Sequence, residues 1–436
     1  MKTVWGLLIA VGIVLGGGEA RADKTLLDNP ANPEDPQNPL RSCVAPCVWS
    51  QGDGSFGLGE VIDVAITEGG QVVTVGYAYD RSIGGFARAY AAEDGTPLWS
   101  FTGQGTRRGA GGPKLTGVTS LPGGGSVAVG FDHPGGEAWQ VGSDLFIPAV
   151  GWMVRFDADG QVLWQTRNGG AENRYFRDVV GFEDGRIAVL GYWDIGRFGP
   201  DRPDRGRVRP WVLLYDQDGT VLWEHVFEGS RHNFPHGLTQ SGDDRLVVVG
   251  RVLNYGENRL TDAWAASLSI ETGAVLWERN YGGRDSETAH NVIALPQDQV
   301  MAAGIYGGMA IGQEGKAQAW SLVLDADGEV VSEERVTRDD RLVLFTDLVA
   351  SGPAAGLGVG RTEAMNFVVW ETTGHGPGKS FALFGSPWRS ETRGIAYDAK
   401  TDTAYVVGST EVPEQGTGIA YSKGWVVGLR RQSQDP

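Results

Sequence analysis

The chain has 436 residues, with 37 basic against 54 acidic side chains, a net charge of −17, 67 glycines, 15 tryptophans and two cysteines. That charge argues against nucleic acid and anionic membrane surfaces as partners. After the N-terminus no stretch approaches the roughly 18 apolar residues of a membrane span, so a soluble mature chain is expected.

Residues 1–22 read as a secretory signal. Lys2 supplies the positive start, residues 4–15 (VWGLLIAVGIVL) the apolar segment, and Ala20, Arg21 and Ala22 an A-x-A cleavage site. Cleavage removes Lys2, Glu19 and Arg21 and leaves a net charge of −18. No cysteine follows the site, which argues against a lipoprotein. The expected location is therefore the periplasm or the extracellular space. Residues 23–41 (DKTLLDNPANPEDPQNPLR) hold four prolines and little apolar material, and read as an extended, disordered leader. Cys43 and Cys47 follow in SCVAPC. In an oxidising compartment they are expected to form a disulfide.

From there the chain repeats. Seven apolar stretches each stop at a glycine: Gly76, Gly130, Gly191, Gly250, Gly304, Gly360 and Gly408, spaced by 54, 61, 59, 54, 56 and 48 residues. Residues 151–191 show one period. WMVRF and QVLWQ flank the turn DADG; after a loop, VVGF and RIAVLG flank EDG. Short runs rich in Val, Ile and aromatics, bounded by Asp and Gly, read as antiparallel hairpins, four strands per unit. Ten tryptophans recur at two places. Trp152, Trp211, Trp264, Trp320 and Trp425 open one strand; Trp49, Trp99, Trp164, Trp223 and Trp277 close the next, where later copies have Ser332 and Phe381. One four-stranded unit cannot bury its own face, so these aromatics are expected between stacked sheets. The C-terminal KGWVVGLRR is an opening strand with no partner after it. The N-terminal APCVWSQ is a closing strand with no partner before it. Joined, they complete a seventh unit and remove the exposed edges. The fold class predicted is all-β: a seven-bladed β-propeller of four-stranded antiparallel blades over residues 42–432, closed by pairing of the N- and C-terminal strands.

ETGAVLW (271–277) and EDGTPLW (93–99) resemble the D-x-x-T-G-x-x-x-W tryptophan-docking motif of quinoprotein-like (PQQ-like) propellers. That group includes PQQ-dependent dehydrogenases and the outer-membrane assembly lipoprotein similar to them. The repeat as a whole is similar to that of secreted bacterial propellers. The resemblance implies the fold across nearly the whole mature chain. The dehydrogenases typically have eight blades and a vicinal cysteine pair, neither of which stands here, so no cofactor is expected. The G-H…W-D signature of WD40 repeats and the Asp-box spacing of sialidases are also missing.

In a propeller the long, irregular loops share one face, here termed the top, and binding is expected there. Three features stand out. The start of each innermost strand contributes Val61, Leu115, Arg177, His236, His290, Thr346 and Arg393 to a ring, with Asp178 and Asp347 adjacent. Arg177 and Arg393 suit a carboxylate or phosphate, and His236 and His290 a proton-transfer pair; an unremarkable polar funnel is the plain alternative. An insertion at 192–210 offers Tyr192 and Trp193 as anchors, with Arg197, Arg202, Arg205, Arg207 and Arg209. An insertion at 131–150 carries Trp139, Leu145, Phe146 and Ile147. No metal site is expected: the D-x-D-G turns are explained by hairpin geometry, and no third ligand joins the histidine pair. The functional expectation is an exported, non-catalytic scaffold that binds an envelope or extracellular protein or glycan through its top loops. The alternative is a hydrolase or lyase at the channel top, with arginines holding a carboxylate and a histidine as base; a quinoprotein oxidoreductase ranks below it.

Overall fold

A computed structural model describes residues 47–431, except 53–58, 79–83, 104–111, 134–138, 142–143, 147, 170–171, 196–206, 230–231, 254–260, 284, 308–316, 337–341, 353–354, 363–366, 374–375, 385–389 and 414–419. The signal segment, the leader and Cys43 lie outside the described residues, and so does any test of the Cys43–Cys47 pairing.

Seven four-stranded antiparallel sheets surround one axis. Their innermost strands are Gly59–Ile66, Lys114–Ser120, Asn173–Gly181, Asn233–Ser241, Glu287–Ala294, Leu342–Gly352 and Ser390–Asp398, in blades 1 to 7. The first strand of the chain, Cys47–Gln51, is the outermost strand of blade 7. It pairs with Ala420–Arg430, setting Trp49 opposite Gly428. The chain thus closes its own ring, as the two unpartnered terminal strands predict. A further two-stranded hairpin, Trp139–Val141 with Asp144–Phe146, sits within the blade 2 insertion.

The core lies between blades. One apolar cluster fills the blade 1–2 interface with Val73, Val75, Trp152 and Phe156; another joins blades 7 and 1 through Trp49, Phe86, Tyr90 and Tyr405. The two tryptophan positions have different tasks. Those opening the third strand are fully buried, and four of them donate their indole N–H across the hairpin to Gln165, Glu224, Glu278 and Glu333. Those closing the outermost strand reach the next blade. Trp49, Trp164, Trp223 and Trp277 donate to the carbonyls of Ala92, Gln217, Ile270 and Ala326, each in the following blade's outer turn, and Trp99 donates to Gln71, whose amide bonds Ala158 in the same kind of turn. Each indole lies on the turn's glycine. A Cβ on Gly95 would stand 2.6 Å from the Trp49 ring, and one on Gly273 2.7 Å from Trp223. Both glycines also have positive φ, so they serve turn geometry and docking together.

A second set of contacts ties the blades near the axis. Asp63 accepts the backbone N–H of Val64 and, from blade 2, that of Val118, each at 2.8 Å. Asp178 does the same with Val179 and, in blade 4, Leu238; Asp347 with Leu348 and, in blade 7, Ile395. Asn291 of blade 5 donates its amide to Asp347. The receiving blades carry Gly117, Gly237 and Gly394 at the equivalent place, which leaves room for the neighbouring strand.

Burial, and for Asp63 the Asp178 charge, push these carboxyls upward, Asp63 to about 7 and Asp178 to about 6. Asp347 is raised well above the usual range by burial and Asp63. An unfolded aspartate releases its proton near pH 4. At these carboxyls the folded protein therefore holds more protons between about pH 4 and 7, and this contribution to stability is lost as pH rises through that window. His236 and His290, held low, act in the opposite sense below about pH 6.5, so the carboxyl slope is read above about pH 6. The melting temperature is expected to fall between pH 6 and 8, and to fall less in Asp63→Asn; Glu287, pushed up to about 7, keeps part of the slope in the variant. Identical slopes in variant and wild type would contradict this. Separately, Trp49→Ala is expected to destabilise by about 3–5 kcal/mol, read from the urea midpoint. A loss under about 1 kcal/mol would mean that the shared seventh blade does not hold the ring closed.

Candidate functional site at the mouth of the central channel

In every blade the register between the innermost strand and its neighbour slips by one residue near the top. The residues set free are Ile62, Thr116, Arg177, His236, His290, Thr346 and Arg393. All seven line one cavity of about 520 Å³. Five match the ring read from the sequence. The other two correct it: Val61 and Leu115 are fully buried core residues paired with Gly76 and Gly130, and the next residues, Ile62 and Thr116, bulge instead. Thr116 donates to the Phe176 carbonyl at 3.0 Å, tying blade 2 to blade 3.

The two arginines of the ring differ. Arg393 is held by Glu60 at 3.1 Å and Glu391 at 2.8 Å, so its charge is already balanced. Glu60 also accepts from the Tyr77 hydroxyl at 3.2 Å. Arg177 makes no hydrogen bond or ion pair among the described residues, yet its charge is felt by Asp63, Asp178, His236, His290, Arg251 and Tyr192. It is the electrostatic hub of the channel.

Further cations stand beside it that sequence reading missed. Arg251 lies 5.2 Å over the Phe234 ring, and its Nε is buried without a partner among the described residues. The Lys114 ammonium sits 3.9 Å over Tyr77, and burial lowers its pKa. The aromatic wall continues through Phe131, whose ring meets Tyr175 edge-on at 4.9 Å; Tyr175 stacks on Tyr192 at 4.7 Å. One pattern in the sequence leads to these residues. Glu60, Lys114, Tyr175 and Phe234 stand two positions before the bulge, and Tyr77, Phe131, Tyr192 and Arg251 pair with them on the second strand.

His236 and His290 do meet, with ring centroids 5.6 Å apart and planes nearly perpendicular. His290 Nδ1 lies 2.6 Å from the Phe345 carbonyl. A carbonyl only accepts, so Nδ1 carries the proton and Nε2 is an acceptor. Burial, then Arg177 and Arg251, hold His290 down to about 4 against that hydrogen bond. Burial, Arg177, His290 and Arg251 put His236 well below the usual value, and its Nε2 is buried without a partner among the described residues. Both rings are neutral at physiological pH.

The insertions are described only in part. Tyr192 and Trp193 are strand residues, within Ile187–Ile195, and are not loop anchors. Trp193 donates to Glu172 and lies 4.1 Å from the Arg174 guanidinium. Arg207 begins the strand Arg207–Tyr215, and Arg209 pairs with Glu228 at 3.7 Å. Arg197, Arg202 and Arg205 lie outside the described residues. Trp139 and Phe146 are paired in the small hairpin. No group of three His, Cys, Asp or Glu side chains suited to a metal occurs among the described residues, and no helix there is long and apolar enough to cross a membrane.

No protein-family profile matches the chain, and no curated protein matches it. Solved structures are similar in fold. The WD40 domain of Pan2 from Neurospora crassa has a TM-score of 0.52 at 10% identity, covering 89% of this chain and 96% of that one. The polysaccharide lyase Uly1 has a TM-score of 0.53 at 10% identity, covering 86% and 90%. A puromycin hydrolase has 0.50 at 14% identity, covering 84% of this chain and 54% of that one. Likeness at this identity establishes the seven-bladed propeller fold and leaves function to the site.

Proposed function

We propose that this is an exported, ligand-binding propeller whose working surface is the mouth of the central channel, and that it takes the anionic group of an envelope or extracellular glycan. One observation carries the reading: Arg177, which lines the channel mouth of a strongly acidic protein, has no hydrogen-bonding or ionic partner among the described residues. A guanidinium offers five donors in a fork that fits a carboxylate. Lys114 adds charge, and Tyr77 and Phe131 supply apolar surface in the same cavity; Arg251 does not line it, but its charge acts on both histidines. This moves the binding surface from the long loops to the funnel they surround. Export rests on residues 1–22 and the A-x-A site.

The enzymic alternative has one observation in its favour: two neutral imidazoles share the cavity with Arg177. A general base works best with a pKa near the working pH, and a ring held near 4 has little proton affinity at neutrality. The same electrostatics that keep the histidines neutral make them poor bases, so binding without turnover is the better reading.

Affinity electrophoresis in gels containing polygalacturonate tests both. The mature protein is expected to be retarded, with retardation weakened by salt and reduced about tenfold in apparent affinity in Arg177→Met. Equal retardation of the two proteins would remove Arg177 from the site. Shortening of the polymer by wild type but not by His236→Ala would restore the enzyme.

A further inference from the structure

Resting on the anion-binding reading, we infer that the site selects a hydroxylated carboxylate, a sugar acid, by pairing Arg177 with the acceptor nitrogen of His290. The funnel contains two kinds of unspent polar group. Arg177 has donors only. His290 has one donor, already given to the Phe345 carbonyl, and one acceptor, Nε2. His236 adds a buried, unsatisfied Nε2 against the same ring. A simple carboxylate satisfies the arginine and leaves the imidazole acceptor without a donor in a cavity from which the ligand has displaced water. A ligand with a hydroxyl near its carboxylate satisfies both. Leaving a buried acceptor unpaired is what makes hydrogen-bond-based selection strong, more so than adding an apolar contact.

The charge state supports this assignment. A protonated histidine here would be a second cation and would favour any anion alike. Burial and the arginines keep both rings neutral, so they accept hydrogen bonds. The remaining wall fits a compact ring with polar edges and apolar faces: Phe131, Tyr77 and Thr346 all line the cavity. The volume of about 520 Å³ is within the usual 300–1,000 Å³ of small-molecule sites.

Calorimetric titration of the mature full-length protein with D-galacturonate, and with hexanoate as a carboxylate lacking hydroxyls, tests the inference. Galacturonate is expected to bind about tenfold tighter than hexanoate, one good hydrogen bond apart. His290→Phe, which keeps an aromatic ring and removes the acceptor, is expected to erase that difference, with its melting temperature confirming the fold. His290→Gln, which restores a side-chain acceptor, is expected to recover part of it. Equal binding of the two acids by wild type, with both lost in Arg177→Met, would overturn this inference and leave the anion site standing. Binding of neither acid would overturn both. Tighter binding of trigalacturonate than of the monomer assigns the site to the acidic end of a glycan, and equal binding to free sugar acids; the inference holds in either case.

Discussion

The molecule depends on the docking of one blade onto the next, because a single four-stranded sheet has no interior. The outer tryptophans do this for five consecutive interfaces, from blade 7 to blade 1 and on to blade 5: Trp49, Trp99, Trp164, Trp223 and Trp277. Ser332 and Phe381 stand at the equivalent places in blades 5 and 6. Both of those interfaces carry inner ties. Asn291 reaches Asp347 between blades 5 and 6, and Asp347 reaches Ile395 between blades 6 and 7. Conversely, the three interfaces without an inner carboxylate tie each send a second donor onto the docking turn: Tyr405 to Ala92, Arg155 to Gln217, and Arg245 to Ala326. Every interface thus has a directional polar contact in addition to its apolar cluster. Apolar burial alone would fix how far apart blades sit and leave their rotation loose, whereas hydrogen bonds have geometry.

The same ring explains why the channel is polar. In each of the seven innermost strands the slip in register turns one side chain toward the cavity. A bulge re-aims a residue and bends its strand. Where the bulging residue is Thr116 or Thr346, its hydroxyl is used on neighbouring backbone. Where it is Arg177, His236 or His290, the polar capacity exceeds what the walls consume. The distinction between structural and available groups is therefore drawn by partners and does not follow from position in the ring.

The fold was legible because it is repetitive. Turn glycines, alternating strands and two tryptophan registers recur often enough that the copies with Ser332 and Phe381 in place of tryptophan do not obscure the pattern. The unmatched terminal strands revealed the closure because an opening half and a closing half of one hairpin are complementary. The site was legible only in part. Taking the start of each innermost strand, fourteen or fifteen residues before the glycine that ends its neighbour, identifies Arg177, His236, His290, Thr346 and Arg393. It missed Ile62 and Thr116 because the bulge falls fourteen residues before the glycine in six blades and fifteen in blade 7, whose turn is longer. Arg251 and Lys114 were missed for another reason. Each is an ordinary charged residue in an alternating strand, and only the pairing of adjacent strands sets Lys114 on the channel wall and brings the Arg251 charge to bear on the two histidines. Likewise nothing in sequence shows that Arg393 is consumed by Glu60, which is 333 residues away.

Arg177 has a structural claim on it as well as a functional one, and the two can be separated. Three buried carboxyls sit close around the axis, and a nearby cation lowers the penalty of charging Asp63 and Asp178. If that were the purpose of the arginine, a direct ion pair would be the effective form, since charge-assisted hydrogen bonds add to the Coulomb attraction. Here both oxygens of each carboxylate are given to backbone N–H groups of two blades. The guanidinium acts on them at a distance and retains its donors. Arg393, in the same ring, shows the alternative arrangement, closed onto Glu60 and Glu391. The protein thus contains, at equivalent positions, one arginine committed to its own acids and one held open, and only the open one faces the neutral histidines.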